Sequence, residues 1–283
     1  MIDTSFLQKL KRFKLILERK VNSNYQGERR ASAAGSGIML KDYIQYTPGD
    51  DFRRIAWRVF ARTDKLYVKR YEEERNLTVH VLIDYSGSMN YGSKLKKSEY
   101  ASMLGVGFAY IAMGNNERFV MSTFAEQLER FRPRRGRQQL ASMVEYLNAK
   151  KATGHTNFQA ALIQYHKRQV NSKSIVFIMS DFLYDLDQIK QVLARYKDHK
   201  VVLVQVLDKR ETELNFDGDY KLVDSETKTQ MRTHISPHLR QSYQSAMSHH
   251  QDKIKNACDE TGAKFFNVST GDDIFDSFYK ILA

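Results

Sequence analysis

Ser174–Ser180 reads SIVFIMS and Lys200–Leu207 reads KVVLVQVL. A half-exposed strand alternates apolar and polar residues, and these two hardly do. Burial on both faces belongs to a parallel sheet covered by helices on each side. Periodicity along the rest of the chain fits that arrangement. It predicts strands at 77–83, 118–124, 127–132, 174–180, 200–207 and 264–268, and amphipathic helices at 97–113, 137–149, 157–170, 186–197, 237–260 and 272–282. FAEQLERF (124–131) reads as a tight hairpin, which makes one edge strand antiparallel. The polar, turn-rich stretch 211–235 reads as a hairpin insert. The fold class is α/β: a doubly wound, mostly parallel open sheet over residues 76–283. In such sheets ligands bind beyond the carboxyl ends of the strands.

Residues 1–75 read as a basic N-terminal appendage, helical and extended, packing on or beside that domain. Phe6, Leu7, Leu10, Phe13, Leu17 and Val21 recur at helical spacing, with Lys and Arg between them. An amphipathic helix over 4–20 is expected, docked on the domain or a partner; its Lys-rich face also admits a peripheral membrane contact. The Gly-, Ser- and Ala-rich stretch 22–39 reads as a loop. Pro48-Gly49 suits a type II turn, and Asp50 or Asp51 can cap a following helix. In that helix Phe52, Ile55, Ala56, Val59 and Phe60 form an apolar face, and Trp57 is expected to pack the segment against the main domain. Arg53, Arg54, Arg58 and Arg62 lie off that face and form a candidate surface for an acidic partner. Leu66–Tyr71 alternates like a strand.

The chain carries 45 Lys and Arg against 33 Asp and Glu, a net charge of +12. Residues 1–75 hold 17 basic and 10 acidic side chains, so the excess is concentrated there. RFRPRRGR (130–137) is a second basic patch. Such patches attract acidic partners, but aromatic residues interleave them too thinly for a single-strand stacking platform. Nucleic acid is therefore disfavoured. No run approaches the roughly 18–20 apolar residues of a membrane span, and the N-terminus lacks the apolar core of a signal peptide. The single cysteine, Cys258, forms no internal disulfide and reads as a small core residue. A soluble protein of the cytoplasm is expected.

The strand VHVLID ends in YSGSM, which places Asp84, Ser86 and Ser88 at the head of the sheet. Asp181 ends SIVFIMSD in the same way, and TGHTNF (153–158) brings Thr156 to the start of a helix. Two carboxylates and three hydroxyls, with no Cys and no paired His, suit a hard cation. Mg²⁺ prefers octahedral oxygen coordination and keeps several waters. Hydroxyls can ligate directly while aspartates hold ligand waters from outside. An ion held without a direct carboxylate keeps most of its charge and favours an external Asp or Glu. His155 reads as a loop bystander. Lys97 and Glu99 open the next helix and are expected to face solvent.

D-Y-S-G-S at 84–88, Thr156 and Asp181 together resemble the metal-ion-dependent adhesion site of von Willebrand factor A domains. That resemblance implies a Rossmann-like fold and a bound Mg²⁺, or Mn²⁺ or Ca²⁺. Upstream, Tyr46, Pro48, Gly49, Asp50, Asp51, Arg53, Ile55, Trp57, Ala61 and Arg62 resemble the signature of the bacterial family called domain of unknown function 58. Ala56 departs from it, standing where an acidic residue is common. This second resemblance implies a MoxR-type AAA+ ATPase as partner and a chaperone-like role in maturing or remodelling other proteins.

The expected function is a non-enzymatic, Mg²⁺-dependent protein-binding module. Two alternatives compete with it. A metal-dependent phosphohydrolase also places an Asp at the end of its first strand, but it needs a second carboxylate two residues on, where this chain has Ser86. A nucleic-acid-binding protein would use the basic N-terminal quarter and show a steep salt dependence. The chain has neither a G-x-x-x-x-G-K-[ST] loop nor a G-x-S-x-G elbow with a convincing triad.

Overall fold

A computed structural model describes residues 2–24, 34–35, 39–72, 77–131, 136–170, 172–214, 218–225 and 229–282. Most of the stretch read as a loop at 22–39, and residues 132–135 of the second basic patch, lie outside this set. The chain divides into two units, Lys14–Asn76 and Met1–Phe13 with Leu77–Ala283.

Helix α1 (Thr4–Asn24) opens the chain. Its first part belongs to the larger unit, where Phe6 and Leu10 are buried and Leu7 and Phe13 pack beside them. Strands β1 (Ala34–Gly35), β2 (Met39–Gln45) and β3 (Tyr67–Glu72) make an antiparallel sheet in the order β1-β3-β2. Between β2 and β3 the predicted single helix is broken. Asp51 caps a 3-10 turn at Phe52–Arg54, accepting from the Arg53 N–H. Ile55 then leaves helical geometry to bridge Val68, and α2 (Trp57–Thr63) starts afresh. The break buries Ile55 and Ala56 and leaves Phe52 69% and Trp57 60% exposed. Gly49 takes a φ of 113°, the left-handed geometry that the turn requires. Arg53, Arg58 and Arg62 are exposed and Arg54 half-buried.

The larger unit is built on β4 (Thr78–Asp84), β5 (Arg118–Phe124), β6 (Leu128–Arg130), β7 (Ser174–Ser180), β8 (Lys200–Leu207) and, beyond a hairpin of β9 (Gly218–Val223) and β10 (Gln230–Ile235), β11 (Lys264–Ser269). Six of these form one sheet in the order β11-β8-β7-β4-β5-β6. All its neighbours are parallel except β6, which returns antiparallel beside β5. Helices α3 (Lys97–Gly114), α4 (Arg137–Ala149), α5 (Phe158–Gln169), α6 (Leu186–Arg195), α7 (Lys209–Glu213), α8 (Pro237–Thr261) and α9 (Ile274–Leu282) complete the unit.

Strand residues alternate between two cores. Val79, Val81, Ile83, Phe177 and Met179 pack with α1, α3, α4 and α9. Leu82, Val176, Ile178 and Leu203 pack with α5, α6 and α8, where Cys258 is fully buried. This is the two-faced burial expected from SIVFIMS. From β4 the chain winds through α3 to β5 on one side, then returns through α4 and α5 to β7 on the other. The winding therefore reverses between β4 and β7, and such a reversal opens a crevice at the strands' carboxyl ends. Asp84 and Asp181 stand at that crevice.

Candidate functional site

Asp84 is fully buried at the last position of β4, and both its carboxylate oxygens accept hydrogen bonds. Oδ1 accepts from the Ser86 N–H at 2.8 Å and from Thr156 Oγ1 at 3.2 Å. Oδ2 accepts from Ser180 Oγ at 2.8 Å and from the Tyr184 hydroxyl. Ser86 Oγ lies 3.1 Å from Ser88 Oγ. Three segments far apart in sequence thus meet around one carboxylate. Thr156 gives no cap to α5, whose N-cap Asn157 also makes no side-chain capping bond; Ser86 likewise precedes a 3-10 turn, Gly87–Asn90, without capping it. Their hydroxyls serve the site instead of the helices.

Backbone contacts bring the loops into register. The Tyr85 carbonyl accepts from the Thr153 N–H at 2.9 Å, and the Gly154 carbonyl from the Gly87 N–H at 2.8 Å. Gly154 has a φ of 83°, and at Gly87 a Cβ would lie 3.3 Å from the Gly154 carbonyl oxygen and 2.9 Å from that of Ser225. Two glycines are required here, one by its backbone angle and one by crowding.

Asp181 follows β7 directly and is 1% exposed. Helix α6 begins at Leu186 with Asp185 at its N-cap position, making no side-chain capping bond, so Asp181 is not a helix cap. Its backbone carbonyl accepts from Gln205 Nε2 at 2.7 Å. Phe182, the next residue, takes a φ of 50°, a strained value for a bulky side chain. It is held there by its N–H to Ser180 Oγ and by His250 Nε2 donating to its carbonyl.

Lys97 does not face solvent. It is 1% exposed, and its Nζ bonds Asp181 Oδ2 at 3.0 Å and Glu211 Oε1 at 2.8 Å. Burial acts to lower its pKa, but the two carboxylates outweigh burial and raise it, so the side chain is an ammonium. Glu99 is half-buried and accepts from the Lys96 N–H at 3.0 Å at the start of α3. His155 is exposed.

Burial, and then the charge of Asp181, push the Asp84 carboxyl up to about 6. Burial and the same two aspartates raise the Tyr184 phenol well above its ordinary value, so it remains a donor. The pocket therefore holds more negative charge than Lys97 neutralises. Each hydroxyl that donates to a carboxylate retains oxygen lone pairs. Asp84, Ser86, Ser88 and Thr156 are gathered directly, and Asp181 is close enough for its charge to act on Asp84. This oxygen-rich, negatively charged set fits a hard divalent ion. Among the described residues, no three His, Cys, Asp or Glu side chains form a closed metal cage.

Ser180, Tyr184, Lys97 and Glu211 escaped the sequence reading as parts of the site. Ser180 has a signal, standing beside Asp181 at the strand end. Lys97 and Glu211 have none, because only the fold brings the α3 start beside the insert.

The molecule is thus an α/β protein with an oxygen-rich cluster at the switch point of its sheet. The chain belongs to the family described as Protein of unknown function DUF58, whose model matches residues 42–253. An uncharacterized protein of Mycobacterium tuberculosis is 25% identical over 275 residues, covering 96% of this chain and 87% of that one, and a Mycobacterium bovis protein matches to the same extent. Among solved structures, a conserved hypothetical protein BatB from Bacteroides thetaiotaomicron is similar over 73% of this chain and 97% of its own, with 12% identity and a TM-score of 0.45. An aerotolerance-related membrane protein from Bacteroides fragilis is similar over 73% and 96%, with 13% identity and a TM-score of 0.43. No helix among the described residues is long and apolar enough to cross a membrane.

Proposed function

We propose that residues 77–283 form a von Willebrand factor A-like domain acting as a Mg²⁺-dependent protein-binding module without catalytic activity. One observation carries this reading: Ser86, Thr156, Ser180 and Tyr184 converge on Asp84, beside a second buried aspartate whose charge leaves the pocket short of a cation. Ser86, Ser88 and Thr156 would hold the ion, with Asp84 and Asp181 behind them. When bound, the ion supplies an open coordination position for a carboxylate of the partner. The resemblance of residues 46–62 to the family signature favours a MoxR-type AAA+ ATPase as that partner and a chaperone-like role; the setting in this reading is the cytoplasm. Exposed Arg53, Arg58 and Arg62 offer it a second, acid-seeking contact.

The geometry speaks against a phosphohydrolase. A nucleophilic aspartate needs a free oxygen facing its substrate. Asp84 has no exposed surface, and donors engage both its oxygens.

The test uses purified Ser86→Ala, Ser88→Ala double variant against wild type. Titration calorimetry with Mg²⁺ and Mn²⁺ should show binding by wild type alone, at matched circular dichroism. Pull-down of a purified MoxR-type ATPase should need both the ion and the two serines. Ion binding that survives the double substitution refutes the site, and capture that survives chelation refutes the bridge.

A further inference from the structure

Lys97 breaks two rules at once. It is the first residue of α3, where the positive end of the helix dipole disfavours a cation. It is also 1% exposed, where an ammonium persists only when paired. Helix stability therefore does not explain it. Its two partners do, and they belong to different parts of the fold. Asp181 is part of the candidate ion site. Glu211 lies on α7, which leads into the β9–β10 hairpin.

Glu211 is held from both sides. Oε1 binds Lys97, and Oε2 accepts from the Asp208 N–H at 3.0 Å in the capping box of α7. Asp208 in turn accepts from Thr270 Oγ1 at 2.7 Å and from the Ser93 N–H at 3.3 Å. Two residues past β9, the Ser225 carbonyl oxygen lies 2.9 Å from where a Cβ on Gly87 would stand, and Gly87 is the glycine between the two serines of the site. The insert touches the site twice, at its base through Lys97 and at its tip through Gly87.

We infer that Lys97 is a tethered cation competing with the divalent ion for Asp181, and that Glu211 retains its ammonium when the ion binds, which couples ion occupancy to the α7–hairpin insert. This rests on the cation reading given above. A divalent ion beside Asp181 repels the ammonium, and Glu211 is the acceptor already in place for it. Lys97 thereby sets the affinity of the site, and the insert bordering the site responds to the ion.

Calorimetry with Mg²⁺ alone tests this on wild type, Lys97→Met, and the double variant Lys97→Met, Glu211→Gln. The double variant removes one charge of each sign and keeps the local balance if the single variant folds poorly. Both should bind Mg²⁺ at least tenfold more tightly than wild type. Hydrogen exchange should show Mg²⁺ altering amide protection in α7 and β9 of wild type, with that response lost in the double variant. Wild type that binds Mg²⁺, with equal or weaker binding by the variants, overturns the competitor role alone. Unaltered exchange of α7 and β9 on ion binding overturns the coupling. Failure of all three proteins to bind Mg²⁺ overturns the site reading and this inference together.

Discussion

Replacing Asp84 by asparagine separates the role of this carboxylate in function from its role in stability. The substitution keeps the shape and removes the charge. A carboxyl held near 6 instead of its ordinary 3.8 carries about 3 kcal/mol of unfavourable ionisation at neutral pH. Asparagine removes that cost. It introduces a mismatch, because four donors now face one carbonyl oxygen and one NH₂ group. The Ser86 N–H cannot rotate, so the amide oxygen takes the Oδ1 place and the NH₂ faces Ser180 and Tyr184. Their hydroxyls can turn to accept, at a loss of about 1–2 kcal/mol. In chelator at pH 7, Asp84→Asn should therefore be about 1–2 kcal/mol more stable than wild type in urea denaturation. Because the folded-state pKa is raised, the penalty in wild type is absent below about pH 4, grows as pH rises towards 6 and is complete above it. The advantage of the variant should follow the same course. Its Mg²⁺ affinity should fall about 10–100-fold, as loss of an outer group supporting a metal site does. A destabilised variant would refute the electrostatic account, and wild-type Mg²⁺ affinity would refute the place of Asp84 in the site.

Two further predictions concern the core. His80 is buried on β4, its Nδ1 2.7 Å from the Tyr165 hydroxyl, and burial lowers its pKa to about 4. Folding then favours the neutral ring, so about 3 kcal/mol of stability present above pH 6.5 is lost as pH falls to 4; urea denaturation of His80→Gln should lack that component, and an unchanged pH profile would refute it. Cys258 is fully buried, and burial pushes its thiol up to about 12. A thiol reagent at neutral pH should label it only after denaturation, and rapid labelling of folded protein would contradict its core position.

The parallel sheet was legible because its strands are apolar on both faces, a pattern that local sequence carries in full. Arg118–Phe124, Ser174–Ser180 and Lys200–Leu207 were read at the bounds observed. The insert was legible from its turn residues, although the short α7 at its start was not. β2 was missed, because MLKDYIQ has a mixed pattern and its partner β3 lies across a long connection. The helix expected from residue 52 was broken by a tertiary contact, the bridge of Ile55 to Val68, which periodicity does not register. The nearness of Asp84, Ser86, Ser88 and Thr156 was legible because their segments follow a strand end or lead into a helix at one rim of the sheet. The role of Lys97 was not, because a lysine at a helix start ordinarily faces water and its two partners lie 84 and 114 residues away.

Three departures from local rules gather at the switch point of the sheet. Other elements keep to those rules. Helix α8 has Ser236 as a cap accepting from Leu239, Pro237 in its first turn and Gly262 at a φ of 71° to end it. Near β4 and β7, Phe182 adopts a glycine-like angle, Lys97 is buried at the wrong end of a helix, and Asp84 holds a carboxyl whose ionisation the surroundings oppose. The backbone turns at Phe182 beside Asp181, whose charge adds to burial in raising Asp84 and which, with Glu211, holds Lys97. The three irregularities are thus one arrangement, and its net effect is unneutralised negative charge among free hydroxyl lone pairs. A fold selected for stability alone would fill that crevice with apolar side chains, as Leu82, Val176, Ile178 and Leu203 fill one sheet face.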